Sequence, residues 1–215
     1  MNLFESARFI TSVAEVQRLN AAGLAMLPEI AFVGRSNSGK SSVINVLANR
    51  RQLAFASKTP GRTQLLNFFE LTDKEDGTPV ARAYLVDLPG YGFARVDNAT
   101  QANWDRLAGD YLVNRRCLAG VVTVMDARRP LLPADEALLD WILRRPFDYV
   151  PQVHLLLNKA DQLTRAERAA ALRDVERRAA ALPLPIKVQM FSALKREGVD
   201  ELRARLASLL DDARC

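Results

Sequence analysis

The chain is poor in cysteine and histidine, with two of the first and one of the second in 215 residues. Cys117 and Cys215 lack the close spacing of a metal knuckle, and their scarcity fits a reducing, cytoplasmic setting in which Cys117 packs as a small apolar residue. His154, inside an apolar run, reads as a core or strand-face side chain rather than a general base. No apolar run reaches about 18 residues and no secretory leader is visible, so a soluble protein with no membrane partner is expected. Internal repeats, low-complexity tracts and a linker to a second domain are missing too. Aromatic residues make up 7% of the chain, and Trp104 and Trp141 fall in helical patterns that suggest packing. No RNA-binding module signature and no aromatic platform can be read.

What the chain does contain is Gly34, Arg35, Ser36, Asn37, Ser38, Gly39, Lys40 and Ser41 in succession, the spacing of a phosphate-binding loop. Glu29 to Val33 before it reads as a buried strand, and Ser42 to Ala48 after it as a helix. Strand, glycine loop and helix together let backbone amides wrap an anion. Lys40 can then reach the outer phosphates, and the Ser41 hydroxyl can ligate the accompanying magnesium.

Asn158, Lys159, Ala160 and Asp161 follow a second apolar run, Val153 to Leu157. A carboxylate at a strand end can accept two hydrogen bonds from guanine, whereas adenine would leave Asp161 desolvated and unpaired. Lys159 can lay its aliphatic stem along the base or ribose, and Asn158 can tie this loop to the phosphate loop. Further on, Phe191, Ser192 and Ala193 end another strand, where the Ala193 amide can donate to the guanine carbonyl. Asp87, Leu88, Pro89 and Gly90 also follow a strand-like run. Asp87 suits a magnesium-bound water, and the Gly90 amide suits a terminal phosphate. Loss of that phosphate bond on hydrolysis would give the following loop two states. Between these motifs, Ser57 to Leu65 is polar and glycine-containing, as a switch loop should be. Thr63 and Thr59 compete there as the second hydroxyl ligand for magnesium. From Ser41 to Phe69 the chain carries Arg50, Arg51, Lys58 and Arg62 and no acidic residue, a candidate contact for nucleic-acid phosphates.

Apolar runs near 29–33, 65–71, 81–87, 120–126, 152–158 and 186–191 alternate with helical stretches near 40–50, 98–115, 134–145, 164–181 and 198–211. Asp76-Gly77 marks a hairpin turn between the second and third runs. The fold expected is α/β: a P-loop NTPase fold of small-GTPase type, with a mainly parallel six-stranded sheet, one antiparallel edge strand and helices on both faces. Residues 28–215 would form this domain, behind an N-terminal extension over 1–27 in which Ser12 to Leu19 looks like a short helix. The net charge is +5. Arginine pairs at 115–116, 128–129, 144–145 and 177–178 read singly as solvated helix ends and together agree with an RNA-rich partner.

The sets Gly34 to Ser42, Lys58 to Phe69 and Asp87 to Ala94 closely resemble the EngB (YihA/YsxC) family of bacterial ribosome-biogenesis GTPases, over essentially the whole chain. The resemblance implies GTP and GDP as substrate and product. It also implies magnesium held by Ser41 and Thr63, and a partner in the large ribosomal subunit or its rRNA-containing precursors. A link to cell division and septation follows from it as well, with a monomer expected. The nucleotide site it implies spans Gly34 to Ser42, then Gly61, Arg62, Thr63, Gln64 and Leu65, Asp87 to Gly90, Asn158 to Asp161 and Phe191 to Ala193, with Lys40, Asp87, Gly90 and Asn37 as the catalytic set. In related GTPases an asparagine at the place of Asn37 helps hold potassium beside the phosphates. Many family members have Thr where this chain has Asn158, the usual residue of GTPases generally. Tyr91 stands where many signalling GTPases have a water-orienting glutamine, so slow intrinsic hydrolysis is expected.

Overall fold

Continuous apolar runs become the middle of a sheet in the computed structural model, which describes residues 2–19, 23–55, 65–91, 104–146, 150–213 and 215. β2 (Glu29–Gly34) and β5 (Leu118–Asp126) are buried along their whole length, as strands covered on both faces must be. β6 (Gln152–Asn158) and β7 (Ile186–Met190) extend the sheet to one edge. On the other side of β2 lie β4 (Thr78–Asp87), β3 (Leu66–Glu75) and β1 (Arg8–Val13). The order is β1-β3-β4-β2-β5-β6-β7. β2, β4, β5, β6 and β7 run parallel, while β3 is antiparallel to both of its neighbours. The β3–β4 hairpin turns at Asp76 and Gly77, whose φ angles are 48° and 82°. Two consecutive positive φ values twist a two-residue turn to match the strands, and Asp-Gly adopts them with little strain.

Six strands with an antiparallel one at the edge were expected; among the described residues there are seven, and β3 lies one strand in. The additional strand is β1. Ser12 and Val13, expected to be helical, end this strand, and only Val16–Arg18 forms a 3₁₀ turn. The reason is tertiary: the open edge of a ten-residue strand offers main-chain partners, whereas a helix of two turns is marginal alone.

The side-chain alternation of β2 sorts the helices onto two faces. Ile30 and Phe32 point to one, where α1 (Lys40–Leu47) and α5 (Val199–Asp211) pack through Val43, Ile44, Leu47, Leu202, Leu206 and Leu209. Ala31 and Val33 point to the other, covered by α2 (Asp110–Asn114), α3 (Pro133–Leu143) and α4 (Arg165–Ala179). A π-helical turn, Asp105–Gly109, leads into α2; residues 98–103 of the helix expected there lie outside the described residues. Trp104 and Trp141 stack with ring centroids 5.1 Å apart on this second face, a packing role as expected.

An ion cluster lies beneath β2. Glu29 is fully buried and accepts from Tyr111 Oη at 2.6 Å and from Arg115 Nε at 2.9 Å. Arg145 Nη2 in turn donates to the Arg115 carbonyl at 2.8 Å. Burial pushes the Tyr111 hydroxyl well above its ordinary pKa, and the Glu29 charge adds to this. Burial alone would lower Arg115, but the bonds to Glu29 outweigh it and the net shift is upward. Arg115 and Arg145 are therefore internal, which corrects the reading of 115–116 and 144–145 as surface pairs. Cys117 is buried and bonded to Cys215 across 98 residues of sequence, rather than packing as a free thiol, because the end of the chain returns to the start of β5 after α5. His154 is 4% exposed, with Nε2 2.8 Å from Gln189 Oε1.

Two outcomes are expected. Arg115→Met leaves Glu29 charged and buried, and should lower unfolding free energy by about 3–5 kcal/mol in urea titration; a loss under about 1 kcal/mol would mean the cluster is not structural. For His154, burial holds the pKa below 6.5, with the Gln189 bond opposing and Arg205 reinforcing the shift. The unfolded chain then binds the extra proton first, so this residue's share of stability is present above pH 6.5 and is lost as pH falls through the folded pKa. Proton NMR of this one histidine should show a midpoint below 6.5, and a midpoint at or above it would contradict the burial.

Candidate nucleotide site

Because five strands run parallel, β2, β4, β5 and β6 release Gly34, Asp87, Asp126 and Asn158 at one end of the sheet, where open α/β sheets place their ligands. Gly34 opens the phosphate loop and Gly39 caps α1 at φ 92°, where a side chain would run into the Asn158 amide. Glycine is demanded there twice over, by backbone angle and by space. Asn37 adopts φ 64° and leaves its side chain exposed. The first turn of α1 contains no acidic residue to quench the positive end of the helix. Lys40 Nζ donates to Asp87 Oδ1, so the loop's cation and the carboxylate at the end of β4 are paired. Ser41 sits in the same first turn, while Ser42 faces solvent. The turn through Leu88, Pro89 and Gly90 is stitched to the phosphate loop: Ser36 N donates to the Tyr91 carbonyl at 2.9 Å, and Tyr91 N to that of Gly34 at 3.3 Å.

The Asn158 amide joins the base loops to the phosphate loop. Its Nδ2 donates to the Ser38 carbonyl at 2.9 Å, and its Oδ1 accepts from Ala193 N at 3.1 Å. The Ala193 amide is thus directed at Asn158 in this structure. Lys159, at φ 65°, donates to the Asn37 carbonyl at 2.6 Å and to Asp126 Oδ2 at 3.1 Å. Hydrogen bonds from the Arg128 side chain, then its backbone amide and Lys159, hold the Asp126 carboxyl well below the usual carboxylate range against the opposing effect of burial. Ser192 Oγ donates to Asp161 Oδ1 and accepts from Lys195 N at 3.1 Å, leaving Asp161 Oδ2 for another donor. Ala160 N donates to the Phe191 carbonyl at 3.0 Å, and the Phe191 ring is buried in the core. Gly61, Arg62, Thr63 and Gln64 lie outside the described residues, as does Thr59; Leu65 is the first residue described after them.

The network behind this turn joins residues distant in sequence. Tyr91 is 4% exposed and donates through Oη to Asp135 Oδ1 at 2.7 Å. Asp135, fully buried, also accepts from Leu132 N at 2.8 Å and Arg35 Nε at 3.3 Å, and Arg35 Nη2 donates to the Arg129 carbonyl at 2.6 Å. The Arg35 side chain is therefore turned toward α3. Burial first, and the Asp135 charge second, raise the Tyr91 hydroxyl well above its usual pKa. Trp104 packs on Tyr91 and donates Nε1 to the Pro89 carbonyl at 2.7 Å. An acid three residues into a helix, as Asp135 is in α3, signals a cap; nothing local signals the long-range partners Arg35 and Tyr91.

No group of three or more His, Cys, Asp or Glu side chains suited to a metal occurs among the described residues. The Ser41 hydroxyl and the Asp87 carboxylate stand at the loop. This hard but sparse oxygen set suits magnesium, which keeps waters and shares its shell with phosphates.

Residues 29–159 match the family described as 50S ribosome-binding GTPase. A probable GTP-binding protein EngB of Neisseria meningitidis serogroup B (strain ATCC BAA-335 / MC58) is 46% identical over 221 residues, 99% of this chain and 95% of that protein. Its counterpart in Cupriavidus taiwanensis is 42% identical over 98% of this chain and 88% of that one. A crystal structure of a probable GTP-binding protein EngB shares the fold, with a TM-score of 0.56 at 20% identity over 86% of this chain and 99% of the other.

Ser192→Ala removes the hydroxyl that orients Asp161 and should weaken GDP binding roughly ten- to a hundredfold, the worth of one hydrogen bond to a charged group. Titration with a fluorescent guanine nucleotide reads this out, and unchanged affinity would detach Asp161 from base recognition.

Proposed function

The chain belongs to the EngB family of GTP-binding proteins and is a GTPase, and on that premise we propose that it is a magnesium-dependent switch acting in assembly of the large ribosomal subunit. The observation that carries the site assignment is the Asn158 amide, which fixes the Ser38 carbonyl and the Ala193 loop in one arrangement. Residues 28–215 form the nucleotide-binding domain in this reading, and 1–27 are an extension whose strand joins the same sheet.

Asp161, with one oxygen held by Ser192, offers the other to the ring NH and amine of guanine. Lys159 lies along the base or ribose. Lys40 leaves Asp87 for the outer phosphates, and the amides of the phosphate loop and Gly90 surround them. Ser41 and Thr63 would hold magnesium, with Asp87 reaching it through a water, and the ion would neutralise phosphate charge. Asn37 would hold potassium, which would add positive charge at the same place. Tyr91 cannot orient the attacking water while its hydroxyl serves Asp135, so turnover without a partner is slow. The family description, a 50S ribosome-binding GTPase, supports the large subunit and its rRNA-containing precursors as that partner. A role in division and septation would follow from ribosome supply. No helix among the described residues is long and apolar enough to cross a membrane. In this reading the protein works in the cytoplasm as a monomer. A reducing cytoplasm would open the Cys117–Cys215 bond.

The same Tyr91 tether favours one rival, a nucleotide-gated ribosome-binding module with negligible turnover. Hydrolysis of GTP should rise at least about tenfold when large-subunit precursors are added, and further in potassium than in sodium. Equal rates in both salts would remove potassium from the mechanism. No stimulation in any condition would leave the binding module.

A further inference from the structure

An open cleft of about 410 Å³ lies away from the nucleotide site, between Arg8 and Phe9 of β1 and the segment Arg50 to Leu53 that follows α1. We propose that this cleft binds single-stranded RNA, its arginines taking backbone phosphates and its phenyl ring an unstacked base; this rests on the ribosomal reading above. Four observations converge on it. Arg50 and Arg51 are exposed, and neither guanidinium enters an ion pair among the described residues. The nearby acids are spent internally: Glu70 accepts from Arg8 at 2.9 Å and Glu5 from Arg203 at 3.1 Å, and no acid occurs from Ser41 to Phe69. Phe9 is 53% exposed, and Phe55, two residues past the Leu53 wall, is 72% exposed; these are the exposed phenylalanines among the described residues. The wall is also rigid. Asn45 Oδ1 accepts from Leu53 N and Ala54 N, both at 2.8 Å, and its Nδ2 donates to the Ala54 carbonyl at 2.9 Å.

Planar guanidiniums and exposed aromatic rings on a fixed wall match the way unpaired RNA is held, by phosphate charge and base stacking. The volume lies within the usual range for small-ligand pockets, about 300–1,000 Å³, which suits a nucleotide-sized unit. Arg196 widens the basic surface, since its Nη2 donates to Asn49 Oδ1 at the end of α1. Most of the arginines that stand in pairs elsewhere are buried or engaged within the chain. Arg115 and Arg145 are buried, and Arg128 and Arg178 are paired with Asp126 and Glu136.

The test is fluorescence anisotropy of a labelled 12-nucleotide uridine RNA with the full chain at increasing potassium chloride. Arg50→Ala/Arg51→Ala should lower affinity at least about tenfold and reduce the salt slope by about 1.4, two lost contacts at about 0.7 each. Phe9→Ala should cost a factor of about five or more with an unchanged slope. GTP affinity should stay that of the parent in both variants. Parent-like RNA binding and slope in the arginine variant, or no RNA binding by the parent, overturns the proposal. Equal or stronger arginine-dependent binding to polyglutamate or to phosphatidylglycerol vesicles overturns the RNA assignment. Particle-stimulated GTP hydrolysis, run in parallel, separates the two readings. Stimulation of parent and variants alike sinks the cleft and spares the ribosomal role. A parent that no particle stimulates leaves only the ribosome-binding module, and the cleft is then decided by the oligonucleotide alone.

Discussion

Three loops from distant parts of the chain meet at the end of the sheet, and one carboxamide decides their relative placement. Asn158 is almost fully buried, so both ends of its side chain must find partners. It satisfies them with the Ser38 carbonyl on one side and the Ala193 amide on the other. Gly39 must then be glycine, because a side chain there would occupy the space of that amide. Lys159 repeats the tie one residue later, bonding the Asn37 carbonyl while it pairs with Asp126 at the end of β5. The phosphate loop and the loops proposed to read the base are thereby set at a fixed distance, as recognition of a whole nucleotide needs.

The turn after β4 is held by a different logic. Its main chain is bonded to the phosphate loop, but the side chain that follows Gly90, Tyr91, is pulled the other way into a buried site shared with Asp135, Arg35 and Trp104. Any event that moves Gly90 must disturb a hydrogen bond to a fully buried carboxylate and the cap of α3 together. Burial makes such a bond costly to leave unmade, on the order of 1–3 kcal/mol. A shift of Tyr91 with the turn would therefore cost about that much unless α3 moved with it. A phosphate-dependent shift at Gly90 would thus be felt on the far side of α3, well outside the nucleotide site.

How much of this could be read from the chain depends on whether the causes were local. The phosphate loop, Asp87 to Gly90, the Asn158 loop and the Asp76-Gly77 turn are written in consecutive residues, and the parallel sheet follows from alternating apolar runs. β1 was missed because its structure comes from the edge of β3; the segment's own pattern, with Val13, Val16 and Leu19 at helical spacing, misled. Arg115 and Arg145 were misjudged for the same reason. A pair of adjacent arginines looks solvated until a buried glutamate 86 residues away is known to face one of them. Most of the arginines expected to suggest RNA are buried or paired within the chain, whereas Arg50 and Arg51, exposed and without an ion pair among the described residues, stand on a segment that is notable in the sequence only for lacking acids.

The Lys40–Asp87 pair sets a condition on how a nucleotide can enter. Both side chains are little exposed, so each depends on the other for charge compensation. An incoming triphosphate that took Lys40 for itself would leave Asp87 facing further negative charge at short range, where like charges are most costly. A divalent cation bound with the phosphates would remove that conflict, because Asp87 would keep a positive neighbour. In the proposed reading nucleotide and metal would then be coupled through this one ion pair, each tightening the binding of the other by the same factor. Because Lys40 begins α1 and Asp87 ends β4, that exchange acts on the two elements that frame the phosphate loop, and the turn leading to Tyr91 follows directly from the second of them.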